Sequence, residues 1–357
     1  MTKVHDDRIE ELEQRVKEFH DVDLGEALEV IDYLRDEDDS VLVGGSLAYG
    51  LGNRESDLDI VIAGPATDES SSRMPLEHFL GSLRVDVWRL HQNEIDELFE
   101  RARRCLADEG PLLGAFGHVF EQADLKLLHR VAYGVVVDGP ALVPSGPRDY
   151  REVARELLVR EYAERMRHSL YVAQLALAAG NTLAAATSAR FGVEDALQAV
   201  IAWRGLPFSD NKWLRLRLER DVPDLEEVYR PLAVLPEGPE AIARYVAEAV
   251  AAAEGLLGLD LGAAALAADA GWEGEGLKAY RAGDLRLLLA AGQDVAFEID
   301  DAEAAAWEAL AAEPPWPCAE CTDLQTRLLV ALHAQGVVRL RWLRGVPLAE
   351  LALGKEG

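Results

Sequence analysis

The chain has 357 residues and carries 64 acidic against 36 basic side chains, a formal net charge of −28, and a length like this predicts two or three domains rather than one core. A surface that negative repels phosphate backbones and disfavours a general nucleic-acid binder, although a divalent cation with a few placed Arg and Lys can still build a local nucleotide site. No stretch approaches about 18 uninterrupted apolar residues, the opening MTKVHDDRIEELEQ is charged and amphipathic, and Cys105, Cys318 and Cys321 make no disulfide framework. Neither a membrane span nor a secretory signal is expected, and the cytoplasm is the expected compartment.

Apolar spacing at Ile9, Leu12, Val16 and Phe19, then at Leu24, Leu28, Ile31 and Leu34, predicts one or two helices over residues 5–37. The stretch 41–62, VLVGGSLAYGLGNRESDLDIVI, reads as strand, Gly-Gly-Ser turn, a short helix through Leu47 to Gly50, and a second strand. Residues 64–75 are a loop by composition, and 83–88 form a strand with Val85 and Val87 on one face and Asp86 on the other. Residues 92–106 and 118–133 read as helices, followed by a short β-branched strand over 134–137. Together these make an α/β domain over 1–148, a mixed sheet flanked by helices that ends at the Pro144–Pro147 turn.

From Asp149 the pattern turns helical, with helices over 150–179, 182–204, 211–220, 223–235 and 239–257 broken at Gly and Pro, so residues 149–259 read as an all-helical bundle. The tail, 260–357, reads as a small α+β module. A hairpin joins 284–289 to 295–299 over Gly292, helices follow over 300–312 and 322–335, and a strand over 337–342 closes it. That order looks like a winged-helix module, similar to the peptide-binding winged helices of peptide-modifying pathways.

The chemistry concentrates in the first domain. Strand alternation sends Asp57 and Asp59 to one face, where two carboxylates about 6–7 Å apart are costly unless a cation lies between them. An all-oxygen donor set suits Mg²⁺. The Gly44-Gly45-Ser46 turn lets backbone approach a phosphate closely, and Asp86 can join the same face from its own strand. Three carboxylates fit a displacement with cations on both the attacking and leaving oxygens.

Gly44-Gly45-Ser46, then Asp57-Leu58-Asp59, then Asp86, resembles the minimal signature of the DNA polymerase beta nucleotidyltransferase superfamily, and the loop 50–56 resembles the one those enzymes carry before the aspartates. The likeness covers residues 25–145. It implies that Gly44, Gly45, Ser46 and Arg54 bind a nucleoside triphosphate and that Asp57, Asp59 and Asp86 hold two Mg²⁺ ions. A helical domain directly behind such a fold is similar to antibiotic (kanamycin-type) nucleotidyltransferases and to minimal nucleotidyltransferases with HEPN-like helices.

Glu161 and Arg165 stand four residues apart on one helix face, which by itself describes an exposed ion pair. The kanamycin-type enzymes look similar at Glu161-Tyr162-Ala163, and the resemblance makes Glu161 the general base and Arg165 a nucleotide contact, with Glu194 and Asp195 as secondary bases. Lys212-Trp213 looks like the Lys-Trp that reaches the phosphates in related helical domains; an ordinary surface lysine after a helix cap is the plainer reading. Cys318 and Cys321 have half the spacing of a zinc site, with Cys105 and His333 as the only completions. Arg339, Arg341 and Arg344 form a small basic patch or a solvated strand face.

The expected activity is a Mg²⁺-dependent transfer of a nucleoside monophosphate, AMP from ATP, to a hydroxyl or amine of a small molecule or peptide, with release of pyrophosphate. The alternative is an antitoxin-like or regulatory module that modifies or binds a protein partner. Expected partners are the nucleoside triphosphate and the acceptor, with a homodimer compatible and neither membrane nor nucleic acid involved.

Overall fold

The computed structural model describes residues 2–65, 74–108, 110–114, 117–118, 120, 122–142, 149–206, 211–274, 277–282, 285–290, 296–310 and 314–353. Most of the 64–75 loop, the Pro144–Pro147 turn and the hairpin tip at Gly292 lie outside them.

Helix α1 (Thr2–His20) and helix α2 (Leu24–Glu29) open the chain. Strand β1 (Ser40–Gly44) runs into a single helical turn, α3 (Gly45–Ala48), before β2 (Leu58–Gly64). Strands β3 (Leu76–Leu80) and β4 (Leu83–His91) lead to helix α4 (Gln92–Ala107). A two-residue pair, β5 (Leu113–Gly114) and β6 (Gly117–His118), precedes helix α5 (Gln122–Tyr133) and strand β7 (Val135–Asp138).

The sheet has the order β3-β4-β2-β1-β7. Only β2 and β4 run parallel; the other three pairings are antiparallel, so the sheet is mixed, as the sequence suggests. Strands β1 and β2 are buried along their whole length, which requires cover on both faces and explains their unbroken apolar runs. On one face Leu12, Val16 and Ile31 pack with Val41, Val43, Ile60, Ile62, Val85 and Val87. Side-chain alternation then sends Asp59 and Asp86 to the opposite face, the one covered by α4 and α5.

The helical region contains α6 (Tyr150–Ala178), α7 (Thr182–Trp203), α8 (Leu214–Arg220), α9 (Pro223–Tyr229) and α10 (Pro239–Leu257). Beyond them come α11 (Ala263–Ala268), β8 (Ala270–Glu273), β9 (Leu277–Ala282), β10 (Leu285–Ala290), β11 (Ala296–Ile299), α12 (Asp301–Glu308), β12 (Trp316–Pro317), α13 (Asp323–Ala334) and β13 (Arg339–Trp342). These strands form two small sheets, β11-β10-β9 and β12-β8-β13. The expected hairpin is the β10–β11 pair, but it gains β9, and the last strand pairs with β8 instead. The expected winged-helix order omits Ala270–Glu273, to which the Ala-rich sequence assigns no element and which is the central strand of the second sheet.

Contacts divide the chain into two compact units, 1–108 with 120–158 and 202–221, and 109–119 with 159–201 and 222–357. This division differs from the composition breaks at 148 and 259: the first turns of α6 and the segment with α8 belong with the sheet. Composition is uniform along a long helix and does not register where its packing partners change. Within the second unit Gly192 lets α7 lie against α6, since a Cβ there would fall 2.6 Å from the Leu170 side chain. Among the described residues no helix is long and apolar enough to cross a membrane.

Candidate active site

The site is assembled where β1 turns into α3 beside the start of β2. Parallel pairing sets Asp59 opposite Asp86, and the antiparallel partner of Asp59 on the other side is Gly44. Asp57 sits just ahead of β2. One oxygen from each of Asp57, Asp59 and Asp86 lies within 4.8 Å of the others, and among the described residues this is the only set of three or more His, Cys, Asp or Glu with that geometry. Cys318 and Cys321 belong to no such set and are free thiols.

The turn is glycine for a stated reason. Gly45 has φ +71°, and a Cβ there would lie 1.8 Å from Asp59 Oδ2. A Cβ on Gly44 would meet the Arg130 side chain at 2.9 Å. The two glycines therefore bring backbone against the carboxylate and against α5 at once. Gly45 and Ser46 line a cavity of about 180 Å³ together with Asp57, Asp59, Lys126, Arg130 and Lys212, all within the first unit.

Each carboxylate meets a guanidinium. Arg130 donates to Asp59 Oδ1 through Nε at 2.9 Å and Nη2 at 2.6 Å, with its plane 4.1 Å from the Trp88 ring centre. Arg84 Nη2 bridges Asp57 at 2.6 Å and Asp86 at 2.9 Å. Burial still raises the pKa of Asp59, with Arg130 opposing it and Asp57 and Asp86 adding to it. Burial likewise raises Asp86, against the pull of Arg84. Asp86 Oδ1 is buried with no hydrogen-bond partner. A crowded, partly desolvated trio of carboxylates with an unsatisfied oxygen is arranged to accept cation charge.

Of the residues picked from sequence, Gly45, Ser46, Asp57, Asp59 and Lys212 line one cavity, with Gly44 packed behind it. Lys212 sits in the turn Asn211–Trp213 with its Nζ 5.4 Å from the Trp213 ring centre. Arg54 is exposed in the loop before β2 and does not line the cavity.

Glu161 and Arg165 lie in the second unit, in a buried acidic cluster and not as the exposed ion pair of the plainer reading. Arg165 approaches Asp195 Oδ1 at 3.2 Å and Glu161 at 3.9 Å. Burial pushes Asp195 up to about 7, with Glu161 and Glu194 adding to the rise and Arg165 opposing it. The basic strand face is neutralised locally, Arg341 by Glu273 at 3.1 Å and Arg344 by Glu350 at 3.0 Å.

Sequence reasoning missed Arg84, Lys126 and Arg130. The signal was present: Lys126 and Arg130 are four apart on one face of α5, and Arg84 precedes Asp86 by two on the same face of β4. Their partners become visible only once α5 and β4 are placed. His129, on the same wall, is driven down to about 3 by burial and by Arg130, so it stands neutral.

Residues 27–112 match the family model described as a nucleotidyltransferase domain. A nucleotidyltransferase-like protein from Exiguobacterium sibiricum 255-15 is similar among solved structures, with 12% identity, a TM-score of 0.32, and coverage of 69% of this chain and 74% of that one. No curated protein matches. The matched segment contains the glycine turn and all three aspartates, so the chain carries a nucleotidyltransferase domain and is a transferase of phosphorus-containing groups.

Proposed function

We propose that this transferase moves AMP from ATP to a hydroxyl or amine of a small molecule or peptide and releases pyrophosphate. The observation that carries the reading is the Gly45–Ser46 turn in one cavity with Asp57, Asp59, Lys126 and Lys212. Ser46 and the turn's backbone N–H groups donate to the phosphate oxygens, and Lys212 and Lys126 offset their charge. Asp57, Asp59 and Asp86 would hold two Mg²⁺ ions; the oxygen donor set and the unpartnered Asp86 Oδ1 fit them. Bound there, the ions would neutralise triphosphate charge and ease deprotonation of the acceptor. Arg130, clamped between Trp88 and Asp59, keeps that carboxylate aimed. Glu161 is the base in this reading, which rests on the likeness of Glu161-Tyr162-Ala163 to the kanamycin-type enzymes.

The test is pyrophosphate release from nucleoside triphosphate and Mg²⁺, together with a mass-shift scan over candidate acceptors. The double variant Asp57→Asn/Asp59→Asn should show no turnover in this assay. Turnover equal to that of the parent chain would sink the assignment.

A further inference from the structure

The first unit contains a second and larger cavity, about 670 Å³, with Arg8, Arg15, Arg151 and Arg155 in its wall. That volume is in the ordinary range for small-molecule sites, roughly 300–1,000 Å³. In a chain with 64 acidic and 36 basic residues, an assembly of arginines is unexpected unless something anionic answers it. A fifth, Arg220, stands close by: a Cβ on Gly50 would lie 3.1 Å from Arg15 Nη1 and 3.5 Å from Arg220 Nη1.

The wall neutralises these charges only in part. Arg8 Nη2 donates to the Tyr133 carbonyl at 2.8 Å and Arg151 Nε to the Ala132 carbonyl at 3.0 Å; Arg220 also reaches the Gly50 carbonyl but is paired with Asp221 through Nε at 2.6 Å and Nη2 at 3.0 Å. Carbonyls satisfy N–H groups but leave the positive charge in place. Arg155 lies over the Trp203 ring at 5.2 Å, and the Nε atoms of Arg15 and Arg155 are buried without an acceptor.

Three carboxylates share the wall, Glu11, Asp149 and Glu152. Glu11 is two-thirds exposed and 3.4 Å from Arg15, and Asp149 accepts the Arg151 backbone N–H at 2.8 Å. Burial lowers the pKa of both Arg8 and Arg15, with Arg151 and Arg15 adding to the fall of Arg8, Arg220 adding to that of Arg15, and Glu11 opposing both. Like charges are being held together at a cost, in a concave space of ligand size.

We propose that this arginine-lined cavity binds a di- or triphosphate group. Planar guanidinium forks carried by α1 and α6 suit phosphate oxygens, which a single carboxylate would not saturate. Tyr49 is the one residue shared by this cavity and the Ser46–Asp59 cavity. The group is therefore either the phosphate tail of the nucleotide itself, reaching past Tyr49, or a separate phosphate-bearing ligand seated behind it.

The probe is inorganic tripolyphosphate, titrated calorimetrically into the full chain in EDTA so that metal-dependent binding at the aspartates is silent. Saturable binding is expected. It should weaken about tenfold or more in Arg15→Gln/Arg155→Gln, the loss of two charge-assisted contacts. Glu11→Gln, which frees Arg15 and leaves the arginines untouched, should tighten it, so the idea stays testable if the double arginine variant does not fold. Absence of saturable binding, or affinity unchanged in the arginine variant, overturns the proposal. Displacement of tripolyphosphate by a non-hydrolysable nucleoside triphosphate assigns the cavity to the nucleotide tail; simultaneous binding assigns it to a separate ligand. Because the readout is binding without metal, failure here and failure of the transferase reading are distinguishable.

Discussion

Two groups of buried acids, one in each unit, are built on opposite plans. Asp59 and Asp86 stand on adjacent central strands, with Asp57 just ahead of one of them, and meet guanidinium groups from Arg130 and Arg84. Glu161 and Asp195 stand on helices and share one cation, Arg165. Both groups feel desolvation first. Burial raises the pKa of both Asp59 and Asp195; Asp59 takes two hydrogen bonds from its own arginine, whereas Asp195, pushed up to about 7, shares Arg165 with Glu161.

The sharpest way to break this contrast is Asp86→Asn. It should lower turnover about 10³-fold, the loss of several kcal/mol of charge stabilisation, and abolish any rise in melting temperature caused by Mg²⁺. A retained Mg²⁺-dependent shift would remove Asp86 from the metal set. Next, Glu161→Gln should lower turnover about 10²-fold while preserving that shift; a parent-like rate would return Glu161 to a structural ion pair. Lys212→Ala should raise KM for the triphosphate about tenfold with little change in kcat, the loss of one charge-assisted contact.

The smallest effect concerns stability. Asp195 has a folded-state pKa of about 7 against an ordinary 3.8, so between those values the native chain holds a proton that the unfolded chain has released. Its stabilising contribution is complete below pH 3.8 and is lost as pH rises through about 7. Asp195→Asn should flatten that part of the urea-midpoint profile; an unchanged slope would place the proton elsewhere.

The strand–turn–strand core of the site was readable because local rules specify it: two apolar runs, a turn only glycine permits, and alternation that places the aspartates together. Lys212 was readable by likeness to related domains, though it belongs with the sheet and not with a separate bundle. Arg84 and Arg130 were not, because an arginine on a strand or helix face declares no partner until tertiary packing supplies one. The place of Arg54 in the loop before Asp57 says nothing about where its side chain goes, and it is exposed and does not line the cavity. The helix expected after Ser46 is one turn only, Gly45–Ala48, since the Gly50 and Gly52 that follow it favour a loop. The tail misled most. Its Ala-rich start declares no element, and Ala270–Glu273 becomes a strand only by pairing on both sides through contacts distant in the chain.

The alignment of Asp59 with Asp86 in the parallel pair has a consequence for how the chain reaches its native state. A slip of one residue between β2 and β4 would turn one aspartate toward the apolar core and scatter the trio. A cation that needs all three carboxylates therefore binds only the correctly aligned sheet and stabilises it by mass action. Such a cation would act as an inspector of strand alignment, favouring correctly assembled chains before any nucleotide arrives.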